Sequence, residues 1–316
     1  MTDYTASRLG QINAAGGSYS NDTALFLKVF SGEVLTAFDR IQVMKDRIRT
    51  RSISSGKSAQ FPVTGTATAS YHTPGKQLLG SNQIKANELV ISIDGLLVSD
   101  VFISNWEEAV NHYDVRGNYS HQLGQALANT FDRNALQVGY LAARASATIT
   151  GGNGGSALTN AAYGTDAEVL AAGVFAAAQK LDEKDIPADG RYVVLRPAQY
   201  YLLAQSTKVL NKDWGGAGVY ADGKVLRVAG VEVVKSNNLP QSNISANTGE
   251  NNTYSGDFSN SRALVLYPEA IGCVKLMDLA VEKEYQIQRQ GTLMVAKFAL
   301  GMGILRPECA VELKTA

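Results

Sequence analysis

Two β-prone runs separated by a long polar stretch constrain this chain more than any other feature. Lys57-Ser-Ala-Gln-Phe-Pro-Val63 reads as a strand, and Pro62 confines it to a sheet edge because proline has no N–H for a second neighbour. Glu88-Leu-Val-Ile-Ser-Ile93 is β-prone through its branched residues. Between the two lie some two dozen residues rich in Gly, Thr, Ser and Lys. Compact domains rarely keep a structureless connection longer than about 12–15 residues unless it is functional or disordered. The pattern predicts a hairpin arm that projects from the body and finds its partner on another molecule. His72, within this stretch, reads as a polar surface residue.

The segments around the arm have distinct characters. The first ~20 residues are Gly-, Ser-, Asn- and Thr-rich, as in an extended or disordered arm. Ala24-Leu-Phe-Leu-Lys-Val-Phe30 and Glu33-Val-Leu-Thr-Ala-Phe38 are too bulky for a linker and should lie against a surface. Lys45-Asp-Arg-Ile-Arg-Thr-Arg51 is a basic run, read as a solvated face or ionic contact, with a nucleic-acid patch as the alternative.

Beyond the arm, Ser104-Asn-Trp-Glu107 has the spacing of a capping box, and a helical pattern runs to about Arg144, with a break allowed near Gly117. Leu123, Leu127, Thr130, Asn134, Val138 and Leu141 recur every three or four residues and predict one buried face. From Val115 to Arg144 the helix would be on the order of 45 Å, the dimension of a spine on which other elements rest. Thr150-Gly-Gly-Asn-Gly-Gly-Ser156 reads as a flexible joint. Thr165-Asp-Ala-Glu168 is a second capping box before an Ala-rich helix; Tyr192-Val-Val-Leu195 is a strand, and Pro197 opens a further helix. A β region over 224–235, a polar loop over 236–261 and a strand from Ala263 complete an α/β lobe. At the end, Val281, Tyr285 and Ile287 alternate with polar residues, Arg289-Gln290-Gly291 is a turn, and Thr292 to Leu300 returns, so a hairpin is expected there. A last strand near Val311 should complete that antiparallel unit.

Composition removes several function classes. Lys+Arg and Asp+Glu are both 29, so phosphate gripping is not the chain's main work. Cys273 and Cys309 lie outside any CxxC spacing and read as two buried apolar thiols in a reducing compartment. The polar start is no signal peptide, and Leu89 to Ile103, interrupted by Asp94 and Asp100, is too short to span a bilayer. Ser55-Gly-Lys-Ser58 resembles half a phosphate-binding loop, but Arg51 stands where the first Gly is needed. His112 and His121 are nine apart, not the four of a helical metal site, and no Ser-bearing strand-to-helix elbow occurs. No catalytic, cofactor or metal residue is assigned.

Longer runs carry a family resemblance. Ala24-Leu-Phe-Leu-Lys-Val-Phe-Ser-Gly-Glu-Val-Leu-Thr-Ala-Phe38, Arg51-Ser-Ile-Ser-Ser-Gly-Lys-Ser-Ala-Gln-Phe-Pro-Val63, Ile93-Asp-Gly-Leu-Leu97, Asn111-His-Tyr-Asp-Val-Arg116, Gln122-Leu-Gly124, Val274-Lys-Leu-Met-Asp-Leu-Ala280 and Leu305-Arg-Pro-Glu308 resemble, in order, the major capsid proteins of T7-like podoviruses (Autographiviridae). The resemblance implies an α+β, HK97-like capsid fold. Its parts would be an N-arm (1–52), an extended E-loop hairpin (53–102), and a peripheral P-domain with the spine helix (103–163). An α/β A-domain (164–271) and the P-domain β-hairpin with the C-terminus (272–316) would follow. It further implies pentamers and hexamers forming an icosahedral head, a scaffolding protein, a portal protein and packaged double-stranded DNA met by non-specific contact. A decoration protein is left open, no membrane is involved, and the protein would reside in the virion after assembly in host cytoplasm. The assembly contacts it suggests are Phe26, Phe30, Arg47, Arg51, Phe61, His72 and Trp214. Lys57, Lys76 and Lys85 join them as non-covalent contacts, and the Arg289–Gln290 turn is expected at threefold positions. The competing readings are a non-viral compartment shell of the same fold and a hydrolase with an unrecognised site in the α/β lobe.

Overall fold

The computed structural model describes residues 43–78, 80, 83–106, 116–206, 227–244 and 254–315. Phe26, Phe30, Trp214 and Glu107 of the first capping box lie outside the described residues. After β1 (Arg49–Ser52), β2 (Ser58–Thr64) and β3 (Ala86–Ser92) pair antiparallel from Ser58↔Ser92 to Thr64↔Ala86. Pro62 is tolerated because this sheet has only two strands, so its missing N–H breaks no second ladder. Alternation places Ala59, Phe61 and Ile91 on one face, where Val274 and Leu305 bury them. Residues 66–78 carry no regular element and are all exposed.

The sequence reading carries this hairpin to residue 102, but β4 (Leu97–Ser104) leaves it to join another sheet. Next comes α1 (Arg116–Arg144), 29 residues long and hence about 43 Å. Its buried surface is broader than the predicted stripe. Leu123, Leu127 and Val138 are buried as expected, but so are Phe131, Ala135, Leu136 and Tyr140, while Thr130, Asn134 and Leu141 are half-buried. The cause is that the second half of the helix has neighbours on more than one side. Phe131 meets Phe298 at 6.1 Å, whereas a Cβ on Gly139 would touch Leu264 and Leu266.

The glycine-rich joint that follows is packed at its end, although residues 150–153 are exposed. A Cβ on Gly155 would stand 2.3 Å from the Ala142 carbonyl oxygen, so only glycine lets the chain pass the last turn of α1. Lys184 Nζ also donates to Gly154 O at 2.7 Å and to Ser156 Oγ at 2.8 Å, and burial lowers its pKa. β5 (Ser156–Thr159) leads to α2 (Ala167–Asp182). Its cap is Asp166, one residue after the expected Thr165: the extended Asp166 accepts from Glu168 N–H at 2.8 Å and Val169 N–H at 3.3 Å.

β6 (Tyr192–Leu195), α3 (Pro197–Ala204), β7 (Arg227–Val228), β8 (Val231–Lys235), β9 (Asn243–Ile244), β10 (Gly256–Asp257) and β11 (Ser261–Leu266) then build the α/β lobe. β12 (Ile271–Gln286) and β13 (Gly291–Ile304) form the long hairpin, and β14 (Ala310–Lys314) ends the chain. The two main sheets have orders β1-β12-β13-β4 and β5-β14-β11-β6-β8-β7. The final strand thus does not complete the hairpin's sheet; it runs antiparallel to β11 and parallel to β5. Ala310 to Leu313 are successive buried residues, a pattern that needs cover on both faces, and α1 and α2 both pack on β14.

β12 carries two register shifts against β13, one between Lys275 and Met277 and one between Met277 and Ala280. At the end of α1, Arg144 grips the fully buried Glu312 with Nε–Oε2 and Nη2–Oε1 both at 2.6 Å, and Nη1 donates to Asp257 O at 2.7 Å. The Glu312 hydrogen bond holds that guanidinium in its charged form, tying the spine to the six-stranded sheet. Among the described residues, no helix is long and apolar enough to cross a membrane.

Candidate assembly interface

At the root of the β2–β3 arm, backbone crosses backbone. A Cβ on Gly301 would lie 2.0 Å from Ser92 O, one on Gly303 would lie 2.8 Å from Ile91 Cγ1, and one on Gly272 would lie 2.7 Å from Leu305 Cγ. Three glycines therefore let β3 settle onto β12 and β13 at their surface. Asp94 N–H donates to Leu300 O at 3.1 Å and Asn87 Nδ2 to Thr148 O at 2.6 Å. The buried Tyr254 hydroxyl donates to Asp94 and accepts from Met302 N–H at 2.8 Å. Burial, reinforced by the Asp94 bond, raises that phenol's pKa strongly, so it stays a donor. The root is fixed, whereas Tyr71, Leu78 and Ile84 farther along the arm are 105%, 80% and 59% exposed.

The four-stranded sheet has unlike faces. Thr292, Met294, Ala296 and Phe298 of β13 are buried on the side of α1, with Leu97, Val101 and Ile103 of β4 beside them. Opposite, β4 shows Val98, Asp100 and Phe102; β13 shows half-buried Leu293, Val295 and Lys297; and β12 adds Glu282 and Glu284. This outer face is an apolar strip with three carboxylates and one ammonium, Lys297 pairing with Glu282 at 2.6 Å. Residues 65–85 of the arm contain two lysines, Lys76 and Lys85, and no carboxylate.

The predicted contact residues separate into groups. Arg51 and Phe61 come together at the arm root, where Arg51 donates to Gln60 O at 3.0 Å and lies 5.7 Å over the Phe61 ring; Lys57, exposed, accepts from Ile93 N–H at its backbone carbonyl at 2.7 Å. Phe61 is buried in its own chain, where it anchors the arm. His72, Lys76 and Lys85 stand exposed along the arm. Arg47 is occupied within the chain: it pairs with Glu232 at 2.6 Å, donates to Val43 O at 3.1 Å and lies 5.7 Å over Tyr192. It works beside the fully buried Asp132, which accepts from Met44 N–H at 2.7 Å and from Asn238 Nδ2 at 3.0 Å. Residues 43–48 are thereby strapped to both α1 and the six-stranded sheet.

At the far end, Gln290 takes a left-handed φ of 48° and spends its Nε2 on Ile287 O at 2.9 Å, closing the turn; Arg289 is exposed. Sequence reasoning missed the apolar residues around it. Trp106, Ile287 and Tyr285 are 77%, 72% and 47% exposed, and Asn105 Nδ2 donates to the Tyr285 hydroxyl at 2.8 Å. A bulky Ile at a turn was the available signal.

Cys273 and Cys309 are free and buried, their thiols pushed up to about 12 by burial. Among the described residues, no group of three or more His, Cys, Asp or Glu gathers as a metal set.

Known proteins share this arrangement. The Gp10A-like family, described as major capsid protein, matches residues 60–314. The chain is 37% identical over 313 residues to the major capsid protein of Escherichia phage T7, covering 91% of this chain and 90% of that one. It is 35% identical over 330 residues to the major capsid protein of Enterobacteria phage T3, covering 96% and 95%. Among solved structures, the capsid of cyanophage P-SCSP1u superposes with a TM-score of 0.85 at 45% identity, covering 100% of this chain and 99% of that one.

Proposed function

The chain belongs to the Gp10A-like family of major capsid proteins, and from that premise we propose how one copy grips the next in the shell. It is a structural protein of the tailed-phage head with the HK97-like fold. The arm of one copy lies across the outer face of a neighbour's four-stranded sheet. Tyr71, Leu78 and Ile84 cover Val98 and Phe102, while Lys76 and Lys85 approach Asp100, Glu282 and Glu284. The two surfaces match in sign, with a net +2 facing a net −2 by residue count.

One observation carries this reading. Of the sixteen large hydrophobic residues exposed among the described residues, only Phe175 and Tyr201 belong to the six-stranded lobe. The other fourteen lie on the arm, the four-stranded sheet and its flanks. Such clustering marks a surface awaiting a partner.

The labels E-loop, P-domain and A-domain suit the arm, the spine with its four-stranded sheet, and the six-stranded lobe respectively. Residues 97–102 and β14 then move to the P- and A-parts. Pentamers and hexamers, a scaffolding protein, a portal and enclosed double-stranded DNA are partners of this reading. The balanced charge suits DNA that is contained without being gripped. We assign no catalytic step. A compartment shell outside a virus is the weaker reading, because the matching relatives are phage head proteins.

Deleting residues 66–84 should leave a subunit that folds with unchanged circular dichroism yet yields no closed particles in electron micrographs with scaffolding protein. Normal heads from that deletion would remove the arm from the mechanism.

A further inference from the structure

Asn153-Gly154 is the one Asn-Gly pair in the chain, and it lies in the joint between α1 and β5. The pairing matters because glycine has no Cβ to shield its own N–H from the asparagine side chain before it. Whether that nitrogen can attack the side chain is decided by the fold. Two backbone bonds bracket the pair: Gly152 N–H donates to Ile149 O and Gly155 N–H to Ala145 O, both at 2.9 Å. Between them, among the described residues, the N–H groups of Asn153 and Gly154 make no hydrogen bond. Residues 150–153 are exposed, so water reaches the amide. Other asparagines are spent. Asn87 and Asn238 donate their amides to Thr148 O and Asp132, and Asn160 caps Ala162 N–H. At Asn260 it is the following nitrogen that is taken, because Ser261 N–H donates to Phe258 O at 3.1 Å.

We infer that Asn153 deamidates spontaneously in the folded chain, leaving an aspartyl or isoaspartyl residue where the spine joins the six-stranded lobe. The Gly154 nitrogen attacks Asn153 Cγ. An N–Cγ bond forms, the Cγ–Nδ2 bond breaks, and ammonia leaves with the proton that Gly154 gives up. Water, the sole co-reactant, then opens the succinimide. Opening at Cγ restores the ordinary backbone with an aspartyl side chain; opening at the main-chain carbonyl carbon routes the chain through Cγ as isoaspartyl. Either product sets a carboxylate one peptide away from Gly154 O, the carbonyl that Lys184 Nζ holds at 2.7 Å. Burial disfavours the Lys184 ammonium, so the new charge stabilises it. The isoaspartyl form also lengthens the main chain just before Gly155, where the last turn of α1 leaves no room. The chemistry needs no neighbour and stands apart from the shell contacts proposed above.

The test ages the full-length folded chain in mildly alkaline buffer, beside a sample kept unfolded in urea. Peptide mapping by mass spectrometry should find a gain of about 1 Da at residue 153 of the folded chain before any other asparagine changes. Its rate should be at most about tenfold below that of the unfolded sample, as for a segment that needs little opening. Earlier conversion at another asparagine, or a folded chain protected beyond that factor, would overturn the proposal. Asn153→Gln supplies the control. The longer side chain disfavours ring closure, and at an exposed position it should leave the circular dichroism unchanged. The early mass gain in that peptide should then be lost; its persistence at the original rate would equally refute the assignment.

Discussion

The two main sheets of this subunit are built on opposite terms. In the six-stranded sheet, Tyr192 to Leu195 and Ala263 to Leu266 are buried residue after residue, with helices over the strands. That sheet is complete within one chain. The four-stranded sheet alternates: α1 covers one face, while Val98 and Phe102 stay in water on the other. A single copy leaves this second sheet half covered. Under the proposed function the difference separates two tasks, with stability concentrated in one lobe and recognition on the other. A mutation in one should be felt at the bench in a different assay from a mutation in the other.

The largest effect should come from the closed lobe. Leu264 is fully buried in the centre of its sheet, and Leu264→Ala should destabilise the free subunit by about 2–5 kcal/mol, measured by urea unfolding. A smaller loss would mean the six-stranded sheet is looser than its burial indicates. Next in size is the junction between the regions. Gly301→Ala pushes a Cβ into Ser92 O, and overpacking of this kind costs about 1–3 kcal/mol. The substitution should also tilt the arm root, seen as faster hydrogen exchange at residues 89–92 and fewer closed particles. The smallest stability effect, and the sharpest contrast, belongs to Val98→Ser on the uncovered face. Val98 is 45% exposed, so the free subunit should change by no more than about 0.5 kcal/mol. Particle yield should nonetheless fall; a normal yield would mean no neighbour uses that face.

Much of this division was readable beforehand, for physical reasons. A polar gap between two β-prone runs has few solutions, so the arm followed from composition alone. The periodicity of α1 and the branched residues of β6 are local signals, and both elements formed where expected. What escaped was decided at a distance. The partner of β14 depends on which sheet can cover consecutive buried residues, and no spacing within residues 310–314 says which. Gly155 reads as slack until α1 is seen pressing on it. Arg47 reads as available charge until Glu232, far along the chain, neutralises it. Of the proposed interface, the exposed lysines of the arm and the turn at Gln290 are local features that the sequence displays. Trp106 and the outer strip are not, because exposure of an apolar side chain is a property of the assembled sheet.

The register shifts in β12 have a geometric outcome. Between Lys275 and Ala280 this strand spends two more residues than β13 does over the facing stretch, since Lys275↔Leu300 and Ala280↔Lys297 bracket it. Bulges of this sort bend the strand that carries them and increase its twist. The longest ribbon in the subunit is therefore arched by its own backbone, before any neighbour arrives. Tiles that are individually arched do not pave a plane; laid edge to edge, they turn inward and enclose a volume.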